Sequence, residues 1–468
     1  MASSELKVII VGGSIAGLTL AHFLERAGIK YVVLEKGSNP APQVGASIGI
    51  LPNGARILDQ LQLYDEVESH IEPLETATMC YPDGFTFHSS YPKLIHQRFG
   101  YPIMFLDRQK LLEILYTRLP NPGNIHLNRR VTGVESFPGG ATVTTADGTR
   151  YTGHLVLGAD GVHSPVRAEI WKADRKGIGL KEKTDMAVEY RCLFGISSPI
   201  QGLEVGNQIN AFFDHATIVT IHGRNGRFYW FLIEKLARRY VYPDVPRFTE
   251  KDVASVANQY RERRFYQDIT FGQVWDARET VSMTALEENV FSTWHHGRMA
   301  LLGDSVHKMT PNIGQGANMA IEDAAVITNL LINCTRATQK PPTDSQVESI
   351  FDQYRRIRYD RVRTVYQTSR FLVRFQARDG FFNTLFGRYF VPYAGDLPAD
   401  MASKTIAAGE VCQFLPVPAR GGHGWHIYQP RGWSYRQLVP LALLLVSVLS
   451  MVVLHSGVYR CIWTLWEV

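Results

Sequence analysis

Glycines 12, 13 and 17 directly follow Lys-Val-Ile-Ile-Val at residues 7–11. A short β-branched run of this kind predicts a strand buried on both faces of a parallel sheet. The glycines then allow a tight turn and a close approach of the next helix, whose N-terminal N–H groups and dipole can receive a pyrophosphate. The spacing predicts a helix over residues 16–27 that stops at Gly28, a C-cap glycine, and a second strand over residues 31–34. Glu35 lies 18 residues beyond Gly17, where the second strand of a βαβ unit delivers a carboxylate to ribose hydroxyls. Ser14 stands at the usual middle glycine, so its side chain must turn away from the phosphates or hydrogen-bond to one. The alternative reading of the cluster alone is an ordinary tight βα turn.

Two later segments have the same character. Residues 141–146, the turn Asp147-Gly148 and residues 150–151 read as a β-hairpin. Residues 155–157 then form a buried strand ending in Gly158-Ala159-Asp160-Gly161, with Ser164 and Arg167 beyond. Alone, this too reads as an Asp-Gly turn with Ser164 as a helix N-cap. Residues 298–302 predict a strand closed by Gly303-Asp304, and a loop through Pro311 leads to Gly314-Gln315-Gly316 and a helix over residues 317–331. An aspartate at a strand end can bind a ribityl hydroxyl. Glycines opening a helix let N–H groups approach a flavin ring, where the dipole favours the negative charge of the reduced form. Three such cradles in this order point to one flavin dinucleotide held by three separated segments.

The ordered set resembles the three fingerprints of the aromatic-hydroxylase-type flavoprotein monooxygenases over about residues 5–375. Residues 158–167 resemble the second, and residues 303–318 with Glu322-Asp323-Ala324 resemble the third nearly residue for residue. Within that superfamily, residues 45–54, residues 189–195 and Tyr229-Trp230-Phe231 are most similar to fungal paspaline-epoxidase-like enzymes of indole diterpene and meroterpenoid pathways. The resemblance implies an α/β fold: a Rossmann-like FAD-binding domain with an inserted β-sheet substrate domain. It also implies contacts to FAD from Glu35, Gly49, Arg108, Asp304 and Ala317. Arg108 has a separate rationale, since it joins the strand-like residues 103–106 to the helical residues 109–119. A cation there suits a pyrophosphate or the flavin ring, and it equally suits a plain salt bridge at a helix N-terminus. Gly12, Gly13, Ser14, Gly17, Asp160, Gly314 and Gly316 complete the expected cofactor site.

By the same resemblance, NADPH is the co-substrate and docks transiently in a groove, and a flavin C4a-hydroperoxide formed with O2 is the oxidant. The expected reaction is epoxidation of the terminal alkene of a farnesyl or geranylgeranyl chain, coupled to a membrane terpene cyclase. An aromatic hydroxylase of the phenol or salicylate type uses the same oxidant and is the alternative. A non-redox flavin-binding protein or flavin-dependent cyclase is a rival of another class. No second glycine-rich βαβ fingerprint and no Trp-Xaa-Trp-Xaa-Ile-Pro word occur, so enzymes with a separate nicotinamide domain and flavin halogenases fit badly. The cofactor carries the hard chemistry, so no protein nucleophile is required. The 15 histidines are scattered without metal-ligand spacing, so no metal is expected. Strand-like runs at residues 187–196, 209–213, 216–222 and 227–233 predict a sheet over the substrate. Arg191 and Tyr229 are its candidate catalytic residues; both could instead be outward or sheet-packing positions.

The elements divide the 468 residues into five parts. Residues 1–175 begin the FAD-binding domain, with a substrate-side excursion near 75–100, and residues 176–285 form the substrate sheet. Residues 286–378 complete the FAD-binding domain, and 379–437 form an extension and linker. A net charge of +5 without a basic stripe interleaved with aromatics does not indicate nucleic acid. Five cysteines without a close pair suggest reduced thiols, and no signal peptide is read before the first strand. Residues 438–454 carry no charge and as a helix span ~26 Å, against ~30 Å of bilayer hydrocarbon. Trp433, Trp463 and Trp466 flank that run. The expectation is a C-terminal transmembrane helix over residues 438–459, a single-pass membrane anchor with a cytoplasmic catalytic domain at the endoplasmic reticulum. Arginines along residues 354–378 read as a solvated helix face or as contacts to anionic lipid.

Overall fold

The computed structural model describes residues 5–43, 45, 47–173, 178–338 and 340–428. Its first layer is a six-stranded sheet in the order His295–His296, Met299–Leu301, Leu155–Gly158, Lys7–Val11, Lys30–Leu34, Ile125–His126. All neighbours run parallel except the first pair. The central strands are apolar on both faces, and Val8, Ile9, Ile10 and Leu155 to Leu157 are wholly buried, as a sheet covered on both sides demands. Helix Ile15–Ala27 ends at Gly28, whose φ of 67° is the left-handed cap expected there. Helix Gly316–Thr338 packs beside it, and the 33-residue helix Asp344–Gln376 packs on that one in turn.

The second layer is an eight-stranded sheet in the order His307–Lys308, Arg278–Val290, Ala187–Ser197, Phe228–Val241, Ala216–His222, Asn207–Phe213, Thr76–Cys80, Thr86–Ser89. Thr76–Cys80 runs parallel to Asn207–Phe213 although more than a hundred residues separate them. One face of this sheet packs on helices Glu250–Tyr260 and Phe271–Asp276 through Leu193, Trp230, Val256 and Phe271. The other face, with the helices Phe381–Tyr389 and Leu397–Ala407, closes over the edge of the parallel sheet.

The described architecture corrects the expected fold class in one respect. Among the described residues no helix is long and apolar enough to cross a membrane, and residues 438–459 lie outside the described residues. The described fold is an FAD-binding-type α/β fold with no transmembrane helix among the described residues, and the expected single-pass C-terminal anchor and membrane localisation are not supported. The arginine-rich helix is also more than a solvated face, because Arg358 is wholly buried.

Candidate active site

Four strand ends stand side by side at one edge of the parallel sheet. Val11 lies between Leu34 and Gly158, and Gly158 lies beside Leu301. Gly12, Glu35, Ala159-Asp160 and Gly303-Asp304 therefore leave the sheet together, at the carboxyl ends where open α/β sheets take ligands. A Cβ at Gly12 would lie 2.4 Å from the Ala159 carbonyl oxygen, and one at Gly17 would lie 1.9 Å from the Gly12 carbonyl oxygen. Gly17 thus sits behind the cradle and sets how closely the helix approaches the strand. The φ of 102° at Gly12 adds a conformational reason for glycine there.

The polar side chains converge on this edge. Glu35 accepts hydrogen bonds from the backbone N–H groups of Gly13 and Gly37, each at 2.7 Å. Ser14 turns its hydroxyl to Arg108, which donates from Nη2 at 2.8 Å. That contact fixes Arg108 over the first turn of helix Ile15–Ala27. Burial pushes the Arg108 pKa down, and Asp304 and Glu35 pull against it. Asp304 pairs with Lys308 at 2.5 Å. Asn318 fastens the third cradle to the strand Ser47–Ile50, donating to the carbonyl oxygens of Gly49 at 3.1 Å and Gly314 at 2.7 Å. Beside Gly316 there is open space where helix Gly316–Thr338 begins.

These groups line a cavity of about 1240 Å³ that includes Gly12, Gly13, Ser14, Glu35, Gly49, Arg108, Asp160, Asp304, Gly314, Gly316 and Ala317. Its volume exceeds the roughly 300–1,000 Å³ usual for a single small ligand. On its wall, Ser47 Oγ, Asp160 Oδ1 and Asn312 Oδ1 are buried without a hydrogen-bond partner among the described residues. Buried polar atoms are ordinarily paired. Orphaned acceptors, glycines that admit close backbone approach and a cation at the pyrophosphate position together fit a flavin dinucleotide, with room left for a second molecule.

Burial raises the Asp160 pKa from 3.8 to about 6 against the pull of Ser164, the Val166 N–H and Arg167. Because the folded value is the higher one, the folded protein keeps a proton that the unfolded chain has released between about pH 4 and 6, and stability falls across that window. Above it the cost is on the order of 3 kcal/mol. Asp160→Asn is therefore expected to raise the melting temperature of the apoprotein at pH 8 and to have little effect near pH 4; equal effects at both values would contradict the assignment.

The structure does not bring Arg191 to the cavity. Its Nε donates to Glu234 at 2.7 Å, and Glu234 also accepts from the Tyr260 hydroxyl at 3.1 Å, on the face covered by helix Glu250–Tyr260. Tyr229 lies on the cavity-facing side but stops one layer short, packed with Ile196, Phe105 and Phe194, and burial pushes its hydroxyl to about 12. Arg191→Ala is expected to leave turnover per bound FAD unchanged while lowering thermal stability, since Glu234 loses its ionic partner. Tyr229→Phe is expected to leave both unchanged. A collapse of turnover with FAD content preserved would restore either residue to the catalytic set.

Sequence reasoning missed the charge cluster beneath the third cradle. Glu322, Asp323 and Arg358 are all wholly buried. Arg358 donates from Nε to Asp323 at 2.7 Å and pairs through Nη1 with Glu322 at 2.5 Å, while His307 meets Asp323 at 2.7 Å. Asp323 also accepts from the Gly303 N–H at 2.9 Å, so the cluster holds the turn that presents Asp304. A signal existed, because Arg358 falls on the buried stripe Phe351, Tyr354, Val362 and Val365 of its helix. The helices after residue 380 that wall the cavity were also missed.

A model of the family described as FAD binding domain matches residues 5–369. The chain is 64% identical to the FAD-dependent monooxygenase penM of Penicillium crustosum over 448 residues, covering 96% of this chain and 95% of that one. It is 60% identical to the FAD-dependent monooxygenase paxM of Penicillium paxilli over 467 residues, covering 98% and 96%. Among solved structures, Klebsiella pneumoniae HpxO complexed with FAD and uric acid has a TM-score of 0.71 at 22% identity, covering 86% of this chain and 97% of that one. CtdE in complex with FAD and substrate has a TM-score of 0.66 at 20% identity, covering 81% and 92%. At those identities the two structures share the fold. Cradle geometry, family match and closely similar relatives agree: this chain belongs to the FAD-binding-domain family and is an FAD-dependent monooxygenase.

Proposed function

We propose that the enzyme uses NADPH and O2 to epoxidise the terminal alkene of a prenylated intermediate. The observation that carries this reading is the distribution of charge on the cavity wall. Every charged lining residue belongs to the cradle end, at positions 35–36, 108, 129–130, 160–163 and 304–308. The opposite wall, from positions 79–105, 208–233 and 368–405, contributes none. Phe212, Phe231, Ile233 and Phe375 dominate it instead. Such a surface accepts a long hydrocarbon chain and offers no cation to a salicylate-type carboxylate.

Bound FAD supplies the redox chemistry, so that two electrons from NADPH and one O2 give one oxygen atom in the alkene and one in water. The protein's part is positional. Glu35 and Arg108 suit the ribose and pyrophosphate, Gly49, Asp304 and Ala317 suit the flavin end, and the glycines at 12, 13, 314 and 316 allow the backbone to come close. The uncharged wall holds the alkene and keeps water from the reacting atoms. On this reading residues 1–175 and 286–378 form the FAD-binding domain, 176–285 the substrate sheet and 379–437 an extension. An epoxide at a chain end is the electrophile a terpene cyclase opens, so coupling to a cyclase follows from the product.

The test is NADPH oxidation under O2 with and without a geranylgeranylated aromatic compound, followed by mass spectrometry. The expected product gains one oxygen and loses its terminal alkene. A phenolic product with the alkene retained would replace this reading by the hydroxylase, and oxidation not stimulated by any prenylated compound would remove it.

A further inference from the structure

The uncharged wall is interrupted by three polar side chains in a row. The Tyr91 hydroxyl donates to Gln208 Oε1 at 3.4 Å, and Gln208 Nε2 donates to Asn210 Oδ1 at 2.9 Å. All three line the cavity. Asn210 is 4% exposed and lies between Met79 and Val219 on the neighbouring strands. Burial pushes the Tyr91 hydroxyl up to about 12, so it stays protonated and can donate to Gln208. Asn210 Nδ2, the last group of the relay, has no hydrogen-bond partner among the described residues. It is a donor on a residue that lines the cavity, and apolar residues would pack equally well in such a wall.

We infer that Asn210, positioned by Gln208 and Tyr91, is a specificity residue that hydrogen-bonds the polar head of the substrate, a free hydroxyl whose oxygen accepts from Nδ2, at the end remote from the reacting alkene. The inference rests on the reading of the substrate as a prenylated molecule. A hydroxyl both donates and accepts, so it satisfies the amide in either orientation. A head with a methyl group in place of the hydroxyl meets Met79 and Val219 but brings no acceptor, and leaves the amide unpaired. The relay supplies what the apolar wall cannot, a fixed point that sets how far along the cavity the alkene reaches.

The test is binding to FAD-loaded enzyme, followed by perturbation of the flavin absorbance, with two ligands: a geranylgeranylated arene carrying a free hydroxyl, and the same molecule with a methyl group in place of that hydroxyl. Wild-type enzyme is expected to bind the first about tenfold more tightly. Asn210→Leu is expected to abolish the preference while retaining FAD, and Tyr91→Phe, which frees Gln208 without touching the last amide, to reduce it by about threefold. Turnover of the two ligands should then differ in KM and not in kcat. Equal binding of the two by wild type overturns the inference, as does binding of neither, or a preference that survives in Asn210→Leu. A preference in binding without gain of oxygen leaves the subsite standing and sinks the epoxidase reading alone.

Discussion

Arg358→Met is expected to destabilise the protein by about 3–5 kcal/mol, because it takes a shared buried cation from two carboxylates that the fold holds away from water, leaving Asp323 with His307 and Glu322 with Arg361. Out of a total of ~5–15 kcal/mol for a typical domain, that is a large share. Burial alone would raise the Asp323 pKa, yet His307 and Arg358 more than reverse it and hold it at about 2. Glu322 is likewise lowered, with Arg361 and Arg358 overcoming its burial. A depressed carboxylate pKa contributes stability that is present above the unfolded value near 4 and is lost as pH falls through the folded value. Removing the guanidinium takes that contribution away, so the gap between wild type and variant in urea unfolding should widen as pH rises from about 2 to about 5. A gap independent of pH would show that Arg358 acts by filling space. FAD content should fall in the same variant, since Asp323 holds the turn that carries Asp304.

Gly17→Ala is expected to cost FAD binding more than any other single methyl group in the protein. The added carbon would lie 1.9 Å from a backbone oxygen, so helix and strand must separate at the point where the first cradle closes. A loss of at least about a hundredfold in FAD affinity, roughly 2.7 kcal/mol, is expected from fluorescence titration of the apoprotein. Gly28→Ala is the control. Nothing lies within 4 Å of its Cβ position, although its φ of 67° disfavours a side chain, and it should cost only about 1 kcal/mol of stability with FAD affinity intact. If the two variants bind FAD equally, the close packing at Gly17 is not what shapes the cradle.

How much of this was legible in the sequence depended on the range of the interaction. The three glycine segments were readable because turn chemistry is local, and the strands and helices around them follow from short apolar patterns. Which face Arg191 takes was not readable. Strand Ala187–Ser197 is buried on both sides, so alternation gives no inside or outside, and an irregularity between Val188 and Tyr190 shifts its register. The pairing of Thr76–Cys80 with Asn207–Phe213 has no local signature either. Arg358 was hidden by its type, since arginine on a long helix is ordinarily a surface residue and only its position on the apolar stripe said otherwise. The hydrophobic run at 438–454 carried a membrane expectation that nothing among the described residues supports.

The side-by-side arrangement of Val11, Gly158 and Leu301 also has a bearing on biogenesis. The middle strand of that trio pairs on one flank with the amino-terminal strand and on the other with one that emerges from the ribosome nearly three hundred residues later. No nascent chain that stops short of Gly316 can offer the dinucleotide a finished seat, so yellow colour serves as a readout that the first cradle has been joined by the third.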